Sequence, residues 1–249
     1  MNHTLLVIGA TSAIAHAVSR CHAARGARLV LLARDATRLE AHAADLRVRG
    51  AAEVHCVAFD ALDIDGHETA LSMAWAAVDC AGGFDAALLA WGSLPDQAAC
   101  EASVAQALQA FDLNARSVLA LVTLLAQRFE RQGRGVIGII SSPAGDRGRA
   151  SNYVYGAAKA AVTALASGLR HRLARKGVRV VTLLPGFVDT PMTAAFTKGP
   201  LWATTERVAQ DIDAALARGF GHVYTPWFWR WIMLLVRLLP ERLFIRTRL

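Results

Sequence analysis

Near the start of the chain, Thr4-Leu5-Leu6-Val7-Ile8-Gly9-Ala10-Thr11-Ser12-Ala13-Ile14-Ala15 reads as a short apolar strand that meets a small-residue turn and leads straight into a helix. The same strand-then-helix unit repeats outward from there. Strands are expected over Thr4–Ile8, Arg28–Ala33, Glu53–Ala58, Phe84–Ala90, Gly135–Ser141, Val178–Leu184 and His222–Thr225. Helical spacing covers Ser12–Arg25, Asp35–Arg49, His67–Cys80, Glu101–Gln132, Asn152–Lys176 and Thr204–Ala217, several of them closing on a glycine. Short apolar runs alternating with longer amphipathic stretches predict an α/β fold: a doubly wound, seven-stranded parallel sheet with helices on both faces.

Composition agrees with a single large domain. The 249 residues are 54% hydrophobic and 19% charged, too rich in core formers for a disordered chain and too poor in charge for a coiled coil. Residues 1–225 are expected to form that domain, and residues 226–249 a basic, tryptophan-rich amphipathic helical tail. Cys21, Cys56, Cys80 and Cys100 lie far apart, with no CxxC pair, so neither a metal site nor a disulfide framework is expected, and a reducing cytoplasm fits. No charged-then-apolar leader is read ahead of Thr4. The net charge of +7 is uneven: residues 226–249 carry five arginines against one glutamate, leaving +3 for the rest. That distribution points to an anionic membrane surface as partner, not to nucleic acid.

The turn Gly9–Ala15 is a place where a pyrophosphate can meet exposed helix N–H groups, with Gly9, Thr11, Ser12 and Ile14 as candidate contacts. Of the usual glycines only Gly9 is present. Further along, Tyr155 and Lys159 stand in a Tyr-x-x-x-Lys spacing on an expected helix, so both side chains project from one face. A free phenol titrates near pH 10, at about the value that makes it a poor acid at neutrality; an ammonium one turn away is expected to lower that value and make Tyr155 a usable proton donor or acceptor. Ser142, at the end of an expected strand, can hydrogen-bond the same substrate oxygen. Asn114 lies inside a long helical stretch as a candidate water-relay amide. At the end of the second strand Ala33 takes the slot of the acidic residue that would hold a ribose 2′-hydroxyl, and Arg34 follows, which suits a 2′-phosphate. Asp35, one step later, can still reach a 2′-hydroxyl.

With Asn114, Ser142, Tyr155 and Lys159 in this order, residues 4–225 resemble a short-chain dehydrogenase/reductase. The resemblance implies a Rossmann-like fold, a nicotinamide cofactor and those four residues as a catalytic tetrad. It also implies that Lys159 holds the nicotinamide ribose, and that Asp60 and Ala61 read the adenine edge. In Pro185-Gly186-Phe187-Val188-Asp189-Thr190, the residues Pro185, Val188 and Thr190 would contact the carboxamide. NADP(H) is the expected cofactor, with NAD(H) as the alternative. The chain departs from the family where Leu89-Ala90-Trp91-Gly92 stands in place of Asn-Asn-Ala-Gly.

Within the family, Phe59-Asp60-Ala61-Leu62-Asp63, Ser141–Arg147, Ser151–Gly156 and the Arg-rich tail are similar to a branch that reduces a 2-keto pentofuranosyl phosphopolyprenol supplied by a flavin-dependent oxidase. That resemblance implies a lipid-linked sugar substrate, an oxidase partner and a place in making the arabinose donor for cell-wall glycans. Arg147 and Arg149, between Ser142 and Tyr155, are candidate contacts for the phosphate diester. A reductase of a 3-oxoacyl thioester or other lipid ketone, and a non-catalytic dinucleotide-binding regulator at a membrane surface, remain alternatives. By analogy the helices over 101–132 and 152–176 form a homo-oligomer interface. Trp227–Leu239 would make a helix of about 20 Å against a hydrocarbon core of about 30 Å, so it is expected to lie in the inner face of the membrane, its alternative being to pack on the protein's own body.

Overall fold

The computed structural model describes residues 3–78 and 82–247. Its strands are β1 (Thr4–Ile8), β2 (Arg28–Ala33), β3 (Glu53–Ala58), β4 (Ala86–Leu89), β5 (Gly135–Ile140), β6 (Val178–Pro185) and β7 (Gly221–Thr225). They form one sheet in the order β3-β2-β1-β4-β5-β6-β7, parallel at every pairing. β4 is shorter than its apolar run suggests because Phe84 finds another partner. The Gln132 amide accepts from Phe84 N–H at 3.1 Å and donates to Phe84 C=O at 2.7 Å, taking the place of a neighbouring strand.

Successive residues of a strand face opposite sides, and here both sides are covered. Leu5 and Val7 pack toward α1 (Ala13–Ala23), α2 (Ala36–Val48) and α8 (Thr205–Arg218). Leu6 and Ile8 pack toward α3 (His67–Ala76), α6 (Ser117–Gln132) and α7 (Tyr153–Leu173). The end of the expected helix His67–Cys80 falls partly outside the described residues, as do Cys80 and Arg248.

The helix expected over Glu101–Gln132 is instead interrupted. α4 (Gln97–Ala102) is capped by Asp96, and α5 (Val104–Phe111) starts afresh because Ser103 is extended and its hydroxyl accepts from Gln106 N–H. A π-turn over Asp112–Arg116 then joins α5 to α6, with Ser117 N–H reaching back to Asp112 C=O. The tail forms α9 (Trp229–Leu238) and α10 (Glu241–Phe244), separated at Pro240, which lacks the N–H needed to continue the first helix.

Because β1 lies between β2 and β4, the chain winds outward in both directions from that point. The loops after β1 and β4 diverge and open a crevice at the carboxyl edge of the sheet. On the opposite edge α1 is tied to α8. Arg25 donates twice to the Asp213 carboxylate, at 2.8 and 2.6 Å, and His22 Nε2 lies 3.0 Å from it. The His22 hydrogen bond and the Arg25 guanidinium hold Asp213 well below the usual carboxylate range. A depressed carboxylate contributes stability that is present above its unfolded pKa and disappears as pH falls through the folded value. Asp213→Asn is therefore expected to lower the unfolding free energy by about 1–2 kcal/mol at pH 7, with the deficit shrinking below about pH 4. Urea unfolding of both proteins across pH 3–8 reads this; a deficit independent of pH would contradict it.

Candidate active site

The carboxyl ends of β1 to β6 supply the walls of one cavity of about 430 Å³. Gly9, Thr11, Ser12 and Ile14 line it after β1, Arg34 after β2, Ala61 after β3, Ser142 and Arg149 after β5, and Pro185, Val188 and Thr190 at and beyond the end of β6. Tyr155 and Lys159 reach it from α7.

The approach of α7 to the turn after β5 builds the reactive corner. Gly156 permits it, since a Cβ there would stand 2.9 Å from Ala144 C=O. Ser141 Oγ donates to Lys159 C=O at 2.9 Å and lies 2.7 Å from Thr163 Oγ1, pinning the strand end to the helix. Ser142 is extended and caps the short turn Pro143–Gly145, its Oγ accepting from Ala144 N–H at 3.2 Å. Tyr155 sits half-buried beside it. The Lys159 ammonium is buried and donates to Ile140 C=O at 3.3 Å.

Burial drives the two titrations in opposite directions. It pushes the Tyr155 phenol up to about 12, with the Ser142 hydroxyl pulling the other way, and it lowers the Lys159 ammonium to about 8. The expected lowering of Tyr155 by Lys159 is thus corrected. Lys159 Nζ lies 5.7 Å from the Tyr155 ring centre, and at that separation desolvation of the phenolate outweighs the attraction. The phenol stays protonated and able to donate.

Asn114 is fully buried behind this corner, within the π-turn. Its Nδ2 donates to Ala110 C=O at 2.9 Å and its Oδ1 accepts from Ser93 N–H at 3.1 Å, fixing the loop after β4. Two expected contacts lie elsewhere. Asp60 Oδ1 accepts from Leu62 N–H at 3.0 Å within the turn after β3 and is not on the cavity wall. Arg147 points to the tail, donating to Val236 C=O and Leu239 C=O at 2.6 Å each and to Glu241 at 2.7 Å, so its guanidinium is occupied there, whereas Arg149 lines the cavity.

The residues present fit a dinucleotide. Gly9 has φ +80°, and a Cβ there would come 2.8 Å from Trp91 N, so only glycine lets β1 turn beneath the β4 loop. Ser12 caps α1 by accepting from Ala15 N–H at 3.4 Å, which leaves the first helical N–H groups, those of Ala13 and Ile14, at the cavity wall. Trp91, where the family departs, is built into that wall: its Nε1 donates to Ser117 Oγ at 3.0 Å and its ring meets Phe59 edge-on. Arg38, which the sequence reading missed, lines the cavity from the first turn of α2, where its guanidinium donates to Thr11 C=O at 3.2 Å; a second arginine four residues after Arg34, which precedes the helix, was a visible signal. Trp229 also lines it, and nothing local in the tail marks it as a wall residue.

A cleft at the switch point with a phenol, a hydroxyl and an ammonium at one corner defines an oxidoreductase built around a nicotinamide dinucleotide. A family profile described as short chain dehydrogenase matches residues 3–200. An uncharacterized oxidoreductase of Mycobacterium tuberculosis is 40% identical over 237 residues, covering 95% of this chain and 94% of that protein. Another, of Streptomyces coelicolor, is 39% identical over 244 residues, covering 98% and 95%. A solved short chain dehydrogenase/reductase family protein is 30% identical with a TM-score of 0.75, covering 89% of this chain and 94% of that one. The crystal structure of levodione reductase, at 22% identity and a TM-score of 0.78, shares the fold over 89% and 94%. The chain belongs to the short-chain dehydrogenase/reductase family and is an NAD(P)-dependent oxidoreductase.

Two outcomes follow from the corner. Tyr155→Phe is expected to lower kcat by about 10²-fold or more while cofactor Kd changes little, whereas Lys159→Ala weakens both. Retention of about a third of the parental kcat by the Phe variant would remove the proton-donor role. In the reducing direction kcat/KM should fall on the alkaline side with a midpoint near the Lys159 value of about 8, since the cation is lost as pH rises through it. A profile flat to pH 10 would contradict that assignment.

Proposed function

We propose that this chain is an NADP(H)-dependent reductase of a keto group on a lipid-linked, phosphorylated sugar, the 2-keto pentofuranosyl phosphopolyprenol from which an arabinose donor for the cell wall is made. The observation that carries the substrate class is Arg149. Its guanidinium is half-buried on the wall of the cavity that holds Tyr155, its Nε has no hydrogen-bond partner among the described residues, and burial lowers its pKa despite Asp146 nearby. A phosphate diester is the kind of group such a fork is suited to meet. The similarity of residues 59–63, 141–147, 151–156 and the tail to the reductase subunit of decaprenylphosphoryl-β-D-ribose 2′-epimerase supports the same reading. A flavin-dependent oxidase acting on the corresponding hydroxyl is then the expected supplier of the ketone.

A nicotinamide bound in the cleft would supply the hydride that reduces the carbonyl carbon. Tyr155, kept neutral by burial, gives its proton to the carbonyl oxygen, and Ser142 orients that oxygen. Lys159, cationic below about pH 8, would hold the hydroxyls of the nicotinamide ribose. Asn114 fixes the loop at Ser93 and helps return a proton from solvent to the phenol. Leu94, Leu113, Met192 and Phe196 make part of the cavity wall apolar. The same apolar wall favours a second reading, a 3-oxoacyl thioester or other lipid ketone. Charge removal at Arg149 distinguishes them: Arg149→Ala should raise KM about tenfold for a phosphorylated lipid ketone and leave a neutral soluble ketone unaffected, and equal effects on both would remove the phosphate role.

NADP(H) is favoured by what surrounds the end of β2. Ala33, Arg34 and Arg38 all line the cavity, while Asp35 caps α2, accepting from Arg38 N–H at 3.0 Å. Replacing both Arg34 and Arg38 by Ala should raise KM for NADPH by about tenfold or more and change KM for NADH little. A parental enzyme with a tenfold preference for NADH would overturn the choice.

A further inference from the structure

We propose that the outward face of α9, beside the mouth of the active-site cavity, docks on an anionic phospholipid surface. The proposal deepens the reading of a lipid-linked substrate, and its test is separable from that reading.

The inner side of α9 belongs to the enzyme body. Trp229 and Met233 are buried, and Trp229 lies against Gly186, so closely that a Cβ on that glycine would collide with the indole, and meets Phe187 edge-on at 5.2 Å. The far end of the helix is clamped by Arg147, which donates to the Val236 and Leu239 carbonyls and to Glu241 and lies 3.7 Å over the Phe244 ring. Through Trp229 the tail contributes to the cavity wall, and its two sides differ in what they meet. On the other face Trp227, Trp231, Leu235 and Leu238 are each between 55% and 69% exposed. Met192 and Phe196, half exposed, line the same cavity as Trp229 and extend the apolar surface to its mouth.

Charge decides the occupant. Arg230 and Arg237 on α9 and Arg242 and Arg246 beyond it are all exposed, and Glu241, the one acid of the described tail, is held by Arg147. A two-fold contact with a second copy would set these arginines against one another without acidic partners from the tail. Anionic headgroups would neutralise them, while tryptophan and leucine enter the headgroup boundary. The ten residues of α9 span about 15 Å, half of a hydrocarbon core of about 30 Å, so the helix lies in the interface plane and does not cross.

The test uses the full-length protein and sedimentation with vesicles of phosphatidylglycerol and phosphatidylcholine in equal parts, against phosphatidylcholine alone. Binding is expected to the anionic vesicles, to weaken with added salt, and to drop at least about tenfold in a Trp231→Glu, Leu235→Glu variant, whose exposed positions leave Tm and reduction of a soluble ketone unchanged. No binding by the parent, or equal binding by the variant, overturns the proposal. So does a parental dimer that becomes a monomer in the variant by light scattering, which would assign the face to a second copy. Vesicle binding without reduction of the lipid-linked ketone supports docking and sinks only the substrate reading; reduction in detergent without vesicle binding does the reverse.

Discussion

The close seating of α7 on the turn that follows β5 is the contact on which the site depends. Gly156 leaves no side chain between helix and turn, and the Ser141 hydroxyl bridges to Lys159 C=O and Thr163, so strand end and helix move as one. From that contact Ser142, Tyr155 and Lys159 inherit their mutual placement. A buried bridge of this kind also resists disruption, because removing the hydroxyl would strand a buried acceptor. The same burial sets the chemistry. It keeps the phenol protonated and brings the ammonium to about 8, so below that pH both groups hold the proton that a carbonyl oxygen will require.

The parallel, doubly wound sheet and the position of its strands along the chain were legible in the sequence, and the order of the strands came with the structure. Apolar runs located β1 and β2 to the residue, because both are buried along nearly their whole length, and the run Glu53–Ala58 located the edge strand β3 although Glu53 and His55 are only partly buried. Where polar side chains substitute for backbone partners, legibility failed. Gln132 replaces a strand neighbour at Phe84, and the hydroxyl of Ser103 and the π-turn at Asp112–Arg116 divide a stretch whose apolar period continues without a break. The amide of Asn114 could be picked out by its place in a family pattern, but not its position in that turn.

The candidate site divides along similar lines. Spacing on one helix identified Tyr155 and Lys159 and a strand end identified Ser142, because those relations are local, whereas the Pro185 segment was marked by the family resemblance. Arg147 and Arg149, two residues apart, could not be told apart without knowing where the tail returns: one clamps α9 and α10, the other faces the cavity. Trp229 was hidden for the same reason, being remote in sequence from the segment it covers. The direction of the Tyr155 shift was misjudged because charge spacing is visible in a sequence and desolvation is not.

The tail thus joins two levels of the molecule. Its inner face completes the wall against which a substrate would lie, and the clamp at Arg147 keeps its outer face in fixed orientation to the cavity mouth. Carbonyl reduction in that cavity can be followed atom by atom: the keto substrate is turned over with NADPH deuterated at both C4 positions in ordinary water, and with unlabelled NADPH in D2O, and the product is examined by mass spectrometry and NMR. One deuterium at the former carbonyl carbon in the first case and none there in the second is the expected result. An unlabelled carbon in the first case, or one labelled from D2O in the second, would contradict hydride addition to a ketone that Tyr155 protonates.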